Sequence, residues 1–304
     1  MGGPQRVQVG IDLHRAITGL DPDERAAVLA RVEEHGLDHV GVGDHVSFHD
    51  GTGFDGLIAS AVALAGTRTT SVSVGIYQLA LRHPLTVARQ LHDLERLAPG
   101  RLVLGVGVGG EDRREVSNCG VDPSTRGKRV DESLGLLRRL LSGEVVDHEG
   151  EFFTLEGASI ADAKVVPPVL VGGRGDAMVR RVVEHGDGWL GLFVSPRRYG
   201  QAVEQIRAAA ADTDRDPDRF ALSVWCAFGG DAERAQLFQG LADLYRAEEE
   251  ALAPYVPVGS PAELAAFLRP YRDAGCTSFT IMPGHQRSVD VVDQVAELAE
   301  LLAA

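Results

Sequence analysis

Short β-branched runs alternate with helix-period segments along the whole 304-residue chain, the pattern of repeated βα units. Candidate strands fall at 7–13 (VQVGIDL), 39–44 (HVGVGD), 72–78 (VSVGIYQ) and 102–109 (LVLGVGVG). Four more follow at 166–172, 188–192, 220–228 and 277–284. Between them, apolar residues recur on one helical face, as in Val87, Leu91, Leu94 and Ala98. Val130, Leu134, Leu137 and Leu141 repeat the spacing, as do Val291, Val295, Leu298 and Leu302. Eight such units predict a (β/α)8 TIM barrel, a fold of about 250 residues. The surplus is expected as two insertions in a single domain spanning 1–304. One is a hairpin and loop at about 143–165, after the fourth helix; the other is a Glu- and Ala-rich helical excursion at about 229–259.

Charge narrows the class of partner. Forty-four acidic residues against 30 Lys and Arg leave a net charge of −14 with no basic block, which argues against nucleic acid or an anionic membrane. Lys128 and Lys164 are the only lysines, so an anion site must use arginines and backbone amides. Cys119, Cys226 and Cys276 form no C-x-x-C and fit reduced thiols, hence a cytoplasmic protein. The start, MGGPQRVQVGIDL, lacks an apolar leader segment, and no run reaches membrane-spanning length, so neither secretion nor membrane insertion is expected.

Gly105, Gly107 and Gly110 satisfy G-x-G-x-x-G, the pattern of a dinucleotide-binding turn. That turn needs an immediate helix, a second strand and an acid near its end. Here a polar, turn-rich stretch (EDRREVSNCGVDPSTRG) leads into a helix. The glycines read better as a barrel strand that lets backbone or a flat ligand approach closely at its C-terminal rim.

Barrel chemistry collects at strand C-termini. Strand 2 ends in Asp44-His45, an acid–imidazole pair suited to proton transfer near neutral pH, or a surface pair that caps the next turn. A metal site from His45 and His49 with Asp44 or Asp50 is disfavoured, because the stretch does not read as helix; no metal is expected. Gly75 interrupts strand 3, which marks a bulge or a close backbone approach. Strand 5 runs through Gly172, Gly173 and Gly175 into a helix, a nest for an anion with Arg174 beside it or a purely structural turn.

Taken together, four blocks resemble the luciferase-like flavin and deazaflavin barrel superfamily, most closely its coenzyme F420-dependent branch. They are RHPLTVARQLHDLERLAPGRLVLGVGVG (82–109), RGKRVDESLGLLRRLLSG (126–143), VLVGGRGDAMVRRVVEHGDGW (170–189) and GSPAELAAFLRPYRDAGCTSFTI (259–281). The resemblance implies a cis non-prolyl peptide at Gly75-Ile76 beneath the cofactor's central ring. It implies that Asp44 and His45 lie beside the reactive ring edge, His45 exchanging a proton and Asp44 orienting it. Gly107, Val108, Gly109 and Gly110 would border the tricycle, and Gly172 and Gly173, with Arg174, would hold the cofactor phosphate.

Three departures stand out. Gly110 intervenes before Glu111, where F420 enzymes place a carboxylate directly after the glycines. Gly191 and Leu192 follow GDGW where a hydroxyl residue is common, and YQLAL lacks the proline often found before RHP. The function implied is F420-dependent hydride transfer to or from a small organic substrate, by a homodimer. An FMN-dependent monooxygenase fed by a partner reductase is the alternative, and a catalytically silent flavin-binding or scaffold barrel is the other.

Overall fold

The computed structural model describes residues 6–49, 51–109, 112–286 and 288–303. Eight parallel strands close into a barrel. They are β1 (Gln8–Asp12), β2 (His39–Val42), β3 (Ser71–Tyr77) and β4 (Leu102–Val106), then β5 (Val169–Gly172), β6 (Gly188–Gly191), β7 (Arg219–Trp225) and β8 (Ser278–Met282). Each pairs with its neighbours in chain order, and β8 closes on β1 from Gln8↔Ser278 to Ile11↔Ile281. The outer helices are α1 (Pro22–Glu34), α2 (Gly56–Gly66), α3 (Pro84–Leu97) and α4 (Arg126–Leu141). They continue as α5 (Asp176–His185), α6 (Pro196–Ala210), α7 (Pro261–Asp273) and α8 (Val289–Ala303). The chain is a (β/α)8 barrel, as its alternation predicts.

Local chemistry explains the elements. β2, β5 and β6 are buried at every position, because parallel strands are covered by helices outside and by packed side chains within. The apolar faces expected on α3, α4 and α8 are the buried faces. Pro22, Pro84, Pro196 and Pro261 open their helices, where a missing N–H costs nothing. Asp21 caps α1 by accepting from the amides of Asp23 and Glu24, and Ser260 forms a capping box with Glu263.

Several strands end earlier at the top than their composition suggests. β4 stops at Val106 rather than 109, and Gly109, at φ 65°, has already left extended geometry. β7 stops at Trp225, and Ala227–Phe228 pairs instead with Val258–Gly259. The stretch after Asp44 is an antiparallel ribbon rather than a loop: His45–Phe48 pairs with Thr52–Phe54. Between α4 and β5, Val146–Glu149 pairs with Thr154–Ala158. Between β7 and α7, the helix Asp231–Tyr245 packs Leu237, Phe238 and Leu241 against Trp225 and Met282 at the barrel top.

Candidate active site

β3 is irregular where its lone glycine stands. Its pairing with β4 runs Val72↔Leu102, Ser73↔Val103 and Val74↔Leu104, then jumps to Tyr77↔Val106. Three residues of β3 thus span two of β4, and the Gly75-Ile76 peptide inside the bulge is cis. The Ile76 side chain enters the barrel beside Leu170, Leu190 and Ala221. A Cβ on Gly107 would run into Cδ1 of Ile76, and one on Gly172 would lie 3.2 Å from its Cγ2. The absence of side chains at these two glycines lets the Ile76 side chain pack directly against the backbone of β4 and β5 at the C-terminal rim of the barrel. Val108 and Gly109 continue that rim, half-buried. Gly110, expected on it, lies outside the described residues.

His45 leaves β2 and opens the ribbon, with its side chain 31% exposed. Its Nδ1 lies 3.1 Å from Oε2 of Glu115, a carboxylate on the short helix Arg113–Asn118. Glu115 Oε1 accepts from the amides of Val46 (2.6 Å) and Ser47 (3.0 Å), the two residues after His45. Burial alone would raise this carboxyl; the hydrogen bonds from His45, Gln78 and Ser47 outweigh it and bring the pKa down to about 2. Among the described residues, Nε2 of His45 has no hydrogen-bond partner.

Asp44 does not meet the imidazole as expected. Oδ1 accepts from Arg82 Nη2 (2.8 Å) and the Gly56 amide (3.0 Å). Oδ2 accepts from Arg82 Nη1 (2.7 Å) and the Gln78 amide (2.9 Å). With both oxygens committed and the side chain fully buried, this carboxylate ties the top of β2 to the start of α2 and the loop after β3. Burial pushes its carboxyl up against the opposing pull of Arg82 and the two amides. For Arg82, burial works against the charge, and Asp44, Tyr77 and Asp55 more than compensate, holding the guanidinium above its usual range. Arg82 also lies over the Tyr77 ring, 4.3 Å from its centroid.

Just past β5, Gly173 adopts φ 117° and Gly175 φ 72°, the latter standing at the N-terminus of α5. Among the described residues no side chain caps that helix, and Asp176 occupies its first turn. Trp189 Nε1 donates to the Gly173 carbonyl at 3.0 Å and fixes the turn. Arg174 Nη2 donates to the carbonyls of Leu192 and Phe193, so its guanidinium clamps the loop after β6. Among the described residues, no His, Cys, Asp and Glu group could hold a metal ion. His49 instead approaches the Leu244 carbonyl through Nε2 at 3.1 Å.

Sequence reading missed Glu115, Gln78 and a second acid–imidazole contact. Asp12, the last residue of β1, sits 2.5 Å from His14 Nδ1, and the His14 ring stacks on Phe54. Asp12 lines a pocket in the mouth with Arg15, Trp225, Met282 and Gln286. The strand-top rule that singled out Asp44 applied equally to Asp12. For Glu115, no local signal was available, since its partner lies 70 residues earlier.

The fold is a TIM barrel, with Ile76, its flanking glycines and the His45–Glu115 contact at the strand tops. Residues 7–237 match the model of the luciferase-like monooxygenase family, and the chain belongs to that family. It is 27% identical to an F420-dependent glucose-6-phosphate dehydrogenase from Kineococcus radiotolerans, over 92% of this chain and 93% of that protein. In structure it resembles an F420-dependent secondary alcohol dehydrogenase solved with an F420–acetone adduct (TM-score 0.81, 20% identity, 98% and 99% of the chains covered). It also resembles the oxygenating constituent of 3,6-diketocamphane monooxygenase from Pseudomonas putida, solved with FMN (TM-score 0.75, 17% identity, 98% of each chain).

Proposed function

We propose that the protein is an F420-dependent oxidoreductase acting on a small organic substrate in the barrel mouth. One juxtaposition carries this reading: side-chain-free backbone at Gly107 and Gly172 around the Gly75-Ile76 bulge and, at the same strand tops, a partly exposed imidazole held by a buried carboxylate. The full-length likeness to an F420-dependent dehydrogenase supports it.

The residues present suit a flat tricycle with a phosphate tail. Gly75, Ile76, Gly107, Val108 and Gly109 would hold the ring, with Gly110 continuing that rim in sequence, and Gly172, Gly173 and the uncapped start of α5 would hold the phosphate. When bound, the deazaflavin supplies hydride transfer at its C5 position. His45 supplies the proton: its Nε2 takes one from a substrate hydroxyl or returns it, while Glu115 stabilises the charged ring. Asp44 acts one step back, by holding the loops from which His45 and Gln78 project. Arg174 shapes the phosphate end by fixing the β6 loop through Nη2, which leaves its Nε and Nη1 hydrogens for the phosphate.

Titrating the purified protein separately with F420 and FMN, read by absorbance and fluorescence, tests the assignment. Binding of F420 at least tenfold tighter than FMN is expected. The reverse preference would support the second reading, an FMN-dependent monooxygenase supplied with reduced flavin by a partner, which the FMN-bound structural relative favours.

A homodimer and a reducing compartment complete the proposal. Ile58 (68% exposed) and Val62 (36%) form an apolar stripe one turn apart on α2, suited to burial against a second copy. Free Cys119, Cys226 and Cys276 suit the cytoplasm.

A further inference from the structure

Nδ1 of His45 faces two groups of opposite demand. Glu115 Oε2 stands 3.1 Å away and can only accept; Gln78 Nε2 stands 3.0 Å away and can only donate. A single ring nitrogen cannot satisfy both. The surrounding acceptors decide which is served. Gln78 Nε2 has two hydrogens and two other acceptors within reach, Glu115 Oε2 at 3.0 Å and the Asp44 carbonyl at 3.2 Å. Turning the Gln78 amide over would set its oxygen against those same two acceptors, so its present orientation is the satisfied one. With both hydrogens so used, Nδ1 is free to donate to Glu115. In the opposite tautomer, the buried Glu115 carboxylate oxygen would face a ring lone pair at 3.1 Å, which is repulsive. The carboxylate cannot swing aside, because Oε1 is pinned by the Val46 and Ser47 amides.

We infer that Glu115 is a positioning residue that locks neutral His45 in its Nδ1–H tautomer and leaves Nε2 as the one ring atom able to accept a proton. The lock does not need Gln78, whose two hydrogens serve Glu115 Oε2 and the Asp44 carbonyl. The inference deepens the proposed function and rests on it for the role of Nε2, whereas the tautomer itself stands independently.

Glu115→Gln should do more than weaken the contact. The Val46 and Ser47 amides would keep the substituted side chain's oxygen, which turns its NH2 toward Nδ1 and makes that nitrogen an acceptor. The ring should then carry its hydrogen on Nε2. Long-range 1H–15N spectra of histidine-labelled protein, with the His45 signal assigned by its loss in His45→Gln, report the tautomer directly at a pH where the ring is neutral. Nδ1–H is expected in the wild type, Nε2–H in Glu115→Gln, and Nδ1–H again in Gln78→Met, which keeps volume and removes the competing donor. Wild-type protein already in the Nε2–H form, or Gln78→Met switching to it, would overturn the lock, and the latter holds even if Glu115→Gln fails to fold. Turnover in Glu115→Gln should fall about tenfold or more with KM within a few-fold. An inverted tautomer with unchanged turnover would support the lock and overturn instead the acid–base reading of His45.

Discussion

Arg82 and Asp44 meet fork to fork, Nη1 to Oδ2 at 2.7 Å and Nη2 to Oδ1 at 2.8 Å, with the carboxylate fully buried. Removing one partner of such a pair strands a desolvated charge and costs about 3 kcal/mol or more. Asp44→Asn should therefore lower stability by at least that amount in a denaturant titration. Turnover per folded molecule should fall less than on removing His45. Wild-type stability in this variant would show that the pair does not hold the loops together.

His45→Ala is expected to keep F420 affinity within a few-fold and to lower turnover by about two orders of magnitude. Melting temperature and single-turnover rate, measured on the same preparations, separate a proton-transfer role from a structural one. Wild-type turnover would refute the acid–base assignment.

Gly107→Ala tests the proposed ring site. The added methyl meets Cδ1 of Ile76, the mobile end of a side chain, so the fold should tolerate it while Ile76 is pushed into the ring's place. F420 affinity should fall about tenfold or more, roughly 1.4 kcal/mol. Adding Ile76→Ala should recover part of the loss, and a double-mutant cycle without coupling would count against Ile76 as part of the ring site. Gly173→Val suits the phosphate end less well, because φ 117° strains any β-branched residue there and lowers stability as well as binding.

His39, at the start of β2, sets a pH dependence remote from the strand tops. Burial, only partly opposed by Asp38, lowers its pKa from 6.5 to about 4. Between these values the unfolded chain takes up a proton that the folded chain refuses, so stability falls as pH drops through that window. The full loss is on the order of 3 kcal/mol and is reached near the lower value. His39→Gln can keep the contact to Thr280 and should flatten this part of the stability–pH curve. An equal slope in both proteins would assign it elsewhere.

Ile58→Glu with Val62→Glu should yield a monomer by analytical ultracentrifugation, with the circular dichroism of the parent. A dimer that survives both charges would place the interface on another face.

The barrel was legible from periodicity because its cause is local. Alternation of β-branched runs with 3.6-residue apolar faces, and proline or Asp at helix starts, decide which segments pair and which cover them. Strand-top positions such as His45 and Gly172 followed from that frame, and the lone Gly75 in a β-branched strand marked the bulge. What the side chains there touch was not legible. Asp44 looked like the partner of its neighbour His45, yet it turns to Arg82, 38 residues on, while His45 turns to Glu115, 70 residues on. Which acceptor meets which donor depends on the register of the closed barrel and on the paths of three loops above it. A hydrogen bond is decided within a few tenths of an ångström, a precision that residue spacing does not encode and only the assembled tertiary structure supplies.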